Sequence, residues 1–362
     1  MTKQKFYSLK NILEHNAQYN IIIGERSNGK TYAVQKYGLE QYIKTGKQIA
    51  IVRRWNEDFT GKRGQTLFDG LVSNGEVFKM TKGDYNTIYY YGSKWYLAKI
   101  ENGERIITEQ PFAYGFSLSA MEHDKSTSYP NVTTIMFDEF LTRSTYLPDE
   151  FVLFMNVVST IIRQRTDVKI FMLGNTVTKY CPYFSEMGLT HVKNQKQGTI
   201  DIYRYGDSNL TVAVEYTAST TGGKNSDTYF AFNNPKLQMI TGGAWEIDIY
   251  PHCPIKIKPH DIAFTYYIDF SGDVLQCEII KTDTETFTFI HRKTTEIKDR
   301  EHQLVYSPDF SVCPAHSRKI NKPRNALENK IAEYYRNDKV YYADNEVGEI
   351  VRNYLQWCGK AV

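Results

Sequence analysis

The chain has 362 residues, of which 41% are hydrophobic and 23% are charged, with a formal net charge of +3. Most chains of this length fold around more than one hydrophobic core, so two domains are expected. The nearly neutral charge excludes a global basic field, and any nucleic-acid contact must therefore be local. Aromatic residues reach 14%, an excess that favours β structure.

The five cysteines are widely separated and form neither a C-x-x-C pair nor a zinc-type spacing. This pattern indicates free thiols in a reducing compartment. Residues 1–5 lack the apolar core of a signal peptide, and no apolar run approaches the ~20 residues that span a bilayer. We therefore expect a cytoplasmic protein without a membrane segment.

The first motif lies at residues 24–31, directly after the apolar run at residues 21–23. It fits G-x-x-x-x-G-K-[ST] at every fixed position, the pattern of a phosphate-binding P-loop. Its glycines let the backbone bend and turn N–H groups toward a phosphate, and the next helix adds the positive end of its dipole. Lys30 is predicted to reach the β- and γ-phosphates of ATP, and Thr31 to bind Mg²⁺. A glycine-rich turn without a ligand is the competing interpretation. The predicted nucleotide-binding residues are Gly24, Glu25, Arg26, Ser27, Asn28, Gly29, Lys30 and Thr31.

A helix is predicted after the P-loop, and then a buried strand at residues 48–52. Arg53 and Arg54 follow at the carboxyl end of that strand, where ligands gather in open α/β sheets. We interpret them either as contacts to a phosphate or polynucleotide or as solvated surface charges. Lys62 and Arg63 lie between two glycines, in what is predicted to be a basic, flexible loop that contacts DNA.

The next part of the chain, residues 76–118, is predicted to be a β-rich insertion on the sheet. Residues 101–104 are expected to form a hairpin turn. A polar loop at residues 119–131 contains Lys125, which is either a solvated lysine or a nucleic-acid contact. The strands predicted in the insertion are residues 87–91, 94–100 and 105–108.

The second strong motif is an apolar strand at residues 132–137 that ends in Asp138 and Glu139. An ATPase needs two such carboxylates after its P-loop. Asp138 is predicted to hold the Mg²⁺ shell, and Glu139 to polarise a water for in-line attack on the γ-phosphate. Two charges that merely end a buried strand are the alternative.

A helix is predicted at residues 149–163, with Arg163 at its end and Arg165 two residues later. A strand predicted at residues 168–173 is followed by Asn175. Asn175 is either a residue that orients the attacking water or an ordinary strand-to-loop asparagine. This succession of elements predicts an α/β fold of the P-loop NTPase type. Its parallel sheet would be flanked by helices and joined by right-handed crossovers.

The rest of the chain is predicted to form a smaller C-terminal α+β domain. Asp269 lies on a strand of a predicted β-hairpin, with Asp273 close by, and this placement is similar to the first metal-binding carboxylate of ribonuclease-H-like nucleases. Such nucleases need three or four convergent carboxylates, and Asp299, Asp309 and Glu328 do not form a clear motif. The expected domains are a P-loop ATPase domain at 1–205, a linker or small subdomain at 206–255 and a C-terminal domain at 256–362.

With these residues in view, the chain resembles the DNA-packaging (encapsidation) ATPases of phi29-like small tailed phages. The resemblance covers the first ~200 residues well. It rests on the P-loop, the strand before Arg53 and Arg54, the strand before Asp138 and Glu139, the two arginines after the helix, and residues 173–175.

The resemblance implies an additional-strand, catalytic-glutamate ATPase that forms a ring, expected to be a pentamer, at the portal vertex of an empty procapsid in the host cytoplasm. Its partners would be double-stranded DNA, the portal (connector) protein and a structural packaging RNA. It also implies a degenerate ribonuclease-H-like C-terminal domain. An arginine would enter the neighbouring subunit's site, and Arg163 or Arg165 would be that arginine. Lys125 falls where the family faces DNA.

Two other functions stay open at this point. One is a terminase-like motor whose C-terminal domain cuts DNA with Asp269. The other is a nucleotide-binding capsid or RNA-binding component without turnover. Glu25 and Arg26 are charged where a phosphate cradle could be neutral, and we therefore treat Arg26 as a candidate coupling residue between nucleotide state and DNA.

Overall fold

The computed structural model describes residues 6–123, 127–143, 146–206, 208–218, 245 and 250–359. The chain divides into two compact units, Met1–Glu246 and Ile247–Val362. The division falls within residues 206–255, the interval in which the sequence analysis expects a linker. The first unit holds all the predicted nucleotide-binding residues.

The first unit is built around a ten-stranded sheet in the order β3-β4-β6-β2-β7-β8-β1-β10-β9, with β5 paired to β4. The six strands from β6 to β10 in this order run parallel, and the strands beyond them are antiparallel. The strands are β1 (Tyr19–Gly24), β2 (Gln48–Arg53), β3 (Thr87–Tyr91), β4 (Lys94–Glu101), β5 (Glu104–Ile107), β6 (Ala113–Ser117), β7 (Val132–Asp138), β8 (Lys169–Asn175), β9 (Thr199–Arg204) and β10 (Thr211–Tyr216).

Helices cover both faces of this sheet. They are α1 (Lys10–Leu13), α2 (Lys30–Thr45), α3 (Gly61–Thr66), α4 (Asp69–Ser73), α5 (Glu76–Met80), α6 (Glu150–Ile162) and α7 (Pro182–Glu186). The helix after the P-loop is confirmed, and it ends at Gly46 in the left-handed conformation, with a φ of 71°. The flexible loop expected around Lys62 and Arg63 is wrong, because these residues lie in α3. The Trp95 indole donates to the Gly64 carbonyl of that helix at 2.8 Å.

The core of the first unit consists of two apolar layers, one on each face of the sheet. Ile21 and Ile23 of β1 belong to the layer that contains Phe154 of α6. Ile22, between them in sequence, belongs to the opposite layer with Val34 of α2. Because both faces of the parallel strands are buried, their sequences are continuous apolar runs rather than alternating ones.

The β-rich insertion is confirmed at the residues predicted for it. Glu101 of β4 pairs with Glu104 of β5, and the two residues between them have positive φ angles, 52° at Asn102 and 84° at Gly103. This is the geometry of a two-residue type I′ hairpin turn.

Three strands of the sheet were absent from the sequence prediction. The strand β6 contains Gly115, which lacks the side chain of a typical strand residue. Strands β9 and β10 lie in a stretch with many polar residues, and β10 falls in the interval expected as a linker. It pairs with β1 in parallel, from Tyr19 opposite Val212 to Ile23 opposite Tyr216, and is thus part of the first unit's sheet.

The second unit is an α+β domain with a six-stranded sheet in the order β15-β14-β11-β12-β13-β16. The long central strands β11, β12 and β13 are antiparallel, and short parallel strands extend both edges. The elements are β11 (Ile262–Phe270), β12 (Asp273–Lys281), β13 (Thr286–Arg292), β14 (Val305–Tyr306), β15 (His316–Ser317), α8 (Ala326–Arg336), β16 (Val340–Tyr342) and α9 (Asn345–Gly359). The predicted β-hairpin that carries Asp269 is confirmed as β11 and β12, in which Asp269 lies opposite Val274. Among the residues described in both units, no helix is long and apolar enough to cross a bilayer.

Phe154 provides a test of the core between the sheet and α6. Its side chain is fully buried, so we expect Phe154→Ala to lower the free energy of unfolding of the first unit by about 3–5 kcal/mol. Val152 of the same helix is 54% exposed, and Val152→Ala should change that free energy by no more than about 0.5 kcal/mol. Denaturant titration measures both, and equal effects of the two substitutions would contradict this packing of α6.

Candidate functional site

The P-loop leaves β1 at Gly24 and enters α2 at Lys30. Gly24 has no room for a side chain, because a Cβ atom there would lie 1.9 Å from the Thr217 hydroxyl. Gly29 adopts a left-handed φ of 93°, which glycine does without steric cost. The Asn28 amide donates to the Thr217 hydroxyl at 3.1 Å. The loop is therefore braced against the residue after β10, a contact that the sequence analysis did not predict.

Lys30 is 5% exposed, and its ammonium group turns back onto the loop. It donates to the Glu25 carbonyl at 2.6 Å and to the Asn28 side chain at 3.2 Å. Burial lowers the pKa of Lys30 to about 8, although the charges of Asp138 and Glu25 oppose this shift. The ammonium group is thus partly desolvated and held inside the phosphate loop.

Thr31 and Asp138 meet across the sheet edge. The Thr31 hydroxyl donates to Oδ1 of Asp138 at 3.0 Å, although the two residues lie on α2 and at the end of β7. A hydroxyl and a carboxylate are the oxygen ligands that Mg²⁺ prefers. This donor set fits the predicted metal-binding role of both residues.

Glu139 follows β7 in the left-handed region, with a φ of 61°. An L-residue with a side chain rarely adopts this conformation, and such strain is common at functional positions. Its side chain is 64% exposed, so the carboxylate is accessible. Arg53 binds both carboxylates of the pair, with Nη2 at 2.6 Å from Asp138 and Nη1 at 3.4 Å from Glu139. The structure thus places Arg53 inside the candidate site.

Arg54 is in a different environment from its neighbour. It is 7% exposed and forms an ion pair with Glu150, whose Oε2 lies 2.7 Å from Nε. Burial by itself would lower the pKa of Arg54, but the hydrogen bond and charge of Glu150 outweigh it and raise the pKa. The proposed contact of Arg54 with DNA is therefore corrected: its guanidinium group is enclosed in the protein.

Asn175 ends β8 directly opposite Gly24 of β1. Its side-chain oxygen lies 3.4 Å from the Lys30 ammonium group. The structure therefore brings Asn175 beside the phosphate loop, a position that a residue orienting the attacking water would need, which was one of its two interpretations.

Two adjoining cavities surround these groups. The first, of about 320 Å³, follows the phosphate loop from Ser27 to Tyr32 and reaches Asp138, Glu139 and residues 173–175. The second, of about 400 Å³, shares three of these residues and is lined by four arginines and three carboxylates. Arg143, Trp55 and Asp58 had not been singled out in the sequence, because no motif marks them. The residues that line the second cavity are Arg26, Arg53, Arg54, Trp55, Asp58, Asp138, Glu139, Leu141, Thr142, Arg143, Asn175 and Val177.

The two arginines after α6 lie near the start of β7, roughly 20 Å along that strand from Asp138. The Arg165 guanidinium group donates to several main-chain carbonyls, those of Tyr129, Pro130, Val132, Ile161 and Ile162. Arg163 is exposed and donates to the Thr127 carbonyl at 2.9 Å. Neither arginine is part of the site on its own chain. Arg165 connects α6 to the start of β7 through its hydrogen bonds to Ile161 and Val132.

The remaining predicted DNA contacts lie on the surface or outside the described residues. Lys62 and Arg63 are exposed on α3. Lys125 falls outside the part of the chain that the structure describes.

Four of the five carboxylates considered for a nuclease site are engaged with arginine or histidine side chains. Asp269 pairs with Arg300, and Asp273 pairs with Arg292 at 2.7 Å. The other two contacts of this kind are those of Asp299 with His302 and of Glu328 with Arg324. Asp269 and Asp309 do line one cavity, but the described residues contain no group of three His, Cys, Asp or Glu side chains that could hold a metal ion.

The parallel sheet, the loop between β1 and α2 and the carboxylates after β7 together define a P-loop NTPase fold. The model of the family described as Podovirus DNA encapsidation protein (Gp16) matches residues 1–204, more than half of the 362 residues. The chain therefore belongs to this family.

Individual relatives agree with that assignment. The chain is 28% identical over 205 residues to the DNA packaging protein of Bacillus phage phi29, covering 56% of this chain and 55% of the relative. The corresponding protein of Bacillus phage B103 is 29% identical over 188 residues, covering 51% and 52%. The chain thus spans about half the length of the curated relatives it matches.

A solved structure described as the bacteriophage Phi-29 viral genome packaging motor assembly is similar over 96% of both chains. Its TM-score is 0.57 and its sequence identity is 20%. At this level of identity the likeness shows a shared fold, and it extends to the second unit.

The backbone strain at Glu139 predicts an unusual order of stability among substitutions. Glycine relieves the left-handed φ, whereas alanine does not, so Glu139→Gly should be more stable to unfolding than Glu139→Ala by about 0.5–1 kcal/mol. In the helix α2 the order should reverse, with Ala33→Gly costing about 1 kcal/mol. Thermal and denaturant unfolding measure all three variants. A less stable Glu139→Gly variant would contradict the left-handed conformation.

Proposed function

We propose that this protein is an ATP-hydrolysing motor that moves double-stranded DNA into a preformed procapsid. The observation that carries the proposal is the meeting of the phosphate loop with two carboxylates, in which Thr31 lies 3.0 Å from Asp138. A protein that only binds nucleotide has no need of a second, exposed carboxylate beside that contact. Glu139 supplies it.

In the proposed reaction, the backbone of the P-loop and the Lys30 ammonium group bind the β- and γ-phosphates of ATP. Lys30 exchanges its contact with the Glu25 carbonyl for phosphate oxygens, which restores the interactions its burial removed. Mg²⁺ held by Thr31 and Asp138 would neutralise phosphate charge. The Glu139 carboxylate orients the attacking water and accepts its proton, and Asn175 beside the loop helps to position that water.

Arg53 controls the two carboxylates in this scheme. Its guanidinium group neutralises Asp138 and reaches Glu139. A bound phosphate would compete with Asp138 and Glu139 for the Arg53 guanidinium group. Arg53 would then donate some of its hydrogen bonds to phosphate oxygens instead of to these carboxylates. Arg26, which lines the second cavity together with Arg53, remains the candidate for coupling nucleotide state to DNA.

The site is proposed to be completed by a neighbouring subunit in a ring, expected to be a pentamer. Arg163 is the better candidate for the arginine that enters the neighbour's site, because it is exposed, whereas Arg165 is occupied by main-chain carbonyls. Such an arginine can raise the rate by about 10³–10⁵. Hydrolysis would then depend on assembly.

DNA is proposed to be gripped through its phosphates, without base readout, by Lys62 and Arg63 on α3 and by Lys125. The ring would assemble at the portal vertex of a procapsid in the host cytoplasm, with the portal protein and a structural packaging RNA as partners. The names of the relatives, DNA packaging proteins and a genome packaging motor, support these proposals. We also propose that the first unit is the motor domain and the second a degenerate nuclease-like domain.

Nothing in the described second unit favours the rival function of DNA cleavage. Arg300 and Arg292 pair with the two carboxylates nearest the hairpin, and no three His, Cys, Asp or Glu side chains of the described part of the chain come together as a metal-dependent nuclease requires. The motor without cleavage is therefore the preferred proposal.

The hydrolytic assignment is tested with three variants of the full chain in the presence of double-stranded DNA. Glu139→Gln should bind ATP normally but lower the turnover about 10²-fold or more, because it removes the base. Lys30→Ala should weaken ATP binding, and the exposed Glu104→Gln should match the wild type. Unchanged turnover in both site variants would refute the assignment. Tight ATP binding without turnover in the wild type would favour the non-hydrolysing alternative.

The lowered pKa of Lys30 predicts that nucleotide binding weakens with rising pH. Free Lys30 loses its proton near pH 8, while a bound phosphate favours the ammonium form, so binding takes up a proton above that pH. Affinity should fall by up to about tenfold per pH unit between pH 8 and 9.5. Calorimetric titration measures this slope. The Lys30→Arg variant keeps its charge and should lack it; equal slopes in both proteins would contradict the prediction.

A further inference from the structure

A buried polar network lies directly behind the proposed catalytic base. Arg54 and Glu150 form a two-pronged ion pair, with Nε 2.7 Å from Oε2 and Nη2 2.9 Å from Oε1. Their side chains are 8% and 0% exposed. The same carboxylate accepts hydrogen bonds from the Tyr183 hydroxyl at 2.9 Å and the Leu147 N–H at 2.8 Å. Glu150 therefore accepts four hydrogen bonds from three groups.

The other side of the Arg54 guanidinium group faces the backbone after β7. It donates to the Phe140 carbonyl at 2.9 Å and to the Glu139 carbonyl at 3.3 Å. The Phe140 N–H in turn donates to the Leu173 carbonyl of β8 at 3.2 Å. Since buried carbonyl groups need a donor, Arg54 supplies one to the strained turn that presents Glu139.

The two adjacent arginines thus bind the two ends of one residue. Successive residues of a strand point to opposite sides, and here Arg53 reaches the Glu139 carboxylate while Arg54 reaches its carbonyl. Burial and the Glu150 carboxylate raise the pKa of Tyr183, so its hydroxyl remains a donor at every physiological pH. The orientation of Arg54 is set by groups that do not touch the nucleotide cavity.

We propose that Arg54, oriented by Glu150 and Tyr183, is a positioning residue that holds the backbone of Glu139 in the left-handed conformation required for catalysis. The inference rests on the proposed function of Glu139 as the base. It explains why arginine is needed: its planar group has donors enough for a carboxylate and two carbonyls at once. A lysine keeps the charge but offers a single nitrogen atom.

An arginine–glutamate pair in the second unit serves as a control for the loss of such a pair elsewhere in the chain. Arg324 donates its Nε and Nη2 to Glu328 at 3.0 and 2.8 Å, and Glu328 is 1% exposed. The Arg324 side chain is 45% exposed, and the pair lies outside the proposed motor domain. Arg324→Lys is therefore the control for Arg54→Lys.

The experiment measures ATP turnover and nucleotide affinity of the full chain with double-stranded DNA. Arg54→Lys should lower kcat about 10- to 100-fold, since misplacing a catalytic group by about 1 Å has an effect of that size. Its nucleotide affinity should stay within about twofold, because Arg54 lies behind the base and not in the phosphate loop. Arg324→Lys should keep the wild-type kcat.

The decisive measurement combines Arg54→Lys with Glu139→Gln. If Arg54 acts through Glu139, adding Arg54→Lys to the Glu139→Gln variant should not lower its residual turnover further. A reduction of the same factor in both backgrounds would overturn the proposal, because it would mean a general structural effect. Should Arg54→Lys fail to fold, Tyr183→Phe gives the same test, since it removes one hydrogen bond to Glu150 and keeps the ring. Tyr183→Phe should lower the kcat of the wild type roughly 2- to 10-fold, and it should not lower the residual kcat of Glu139→Gln.

The outcomes separate the two levels of inference. Wild-type turnover in Glu139→Gln would overturn the proposed base itself. Loss of turnover in Glu139→Gln together with wild-type kcat in a folded Arg54→Lys would overturn the positioning role alone.

Discussion

The contact between Thr31 and Asp138 depends on the strand order of the whole first sheet. These residues come from distant parts of the chain, yet their side chains lie 3.0 Å apart. They meet because β8 lies between β1 and β7 and all three strands run in the same direction. Parallel strands bring their carboxyl ends to one edge, so the phosphate loop, the two carboxylates and Asn175 gather there. The apolar layers on both faces stabilise that order.

Charge distribution at this edge explains how so many ionised groups coexist. The carboxylates of Asp138 and Glu139 share one arginine, Arg53, and Lys30 is held by neutral oxygen atoms of its own loop. Removing water from a lone charge is costly, whereas paired and hydrogen-bonded charges are tolerated. The ionised groups at this edge are thus paired with one another or hydrogen-bonded to neutral oxygen atoms.

Carboxylates of the second unit are also paired with cationic side chains. Asp269 and Asp273 lie on the two strands of its β-hairpin. The guanidinium groups of Arg300 and Arg292 pair with these carboxylates. An ion pair of this kind satisfies a carboxylate without a metal ion.

Much of the first unit could be predicted from the sequence because the signals are local. The P-loop needs glycines and a lysine at set spacings, and a buried parallel strand needs a continuous apolar run; both are visible in residues 21–31. The hairpin at Asn102 and Gly103 is local in the same sense. The strands β6, β9 and β10 were missed because glycine or polar residues weaken their pattern, and their pairing with distant strands supplies the stability.

The roles of the arginines illustrate the boundary between the two kinds of information. By itself, the sequence determined the phosphate loop, the carboxylate pair and the basic end of β2, since each follows from short-range chemistry. It did not distinguish Arg53 from Arg54, or Arg163 from Arg165. Only the tertiary structure decided that Arg53 faces the carboxylates, that Arg54 is enclosed by Glu150 and that Arg165 clamps α6 to β7. The physical reason is that the environment of a charge depends on which distant backbone and side-chain groups fold around it.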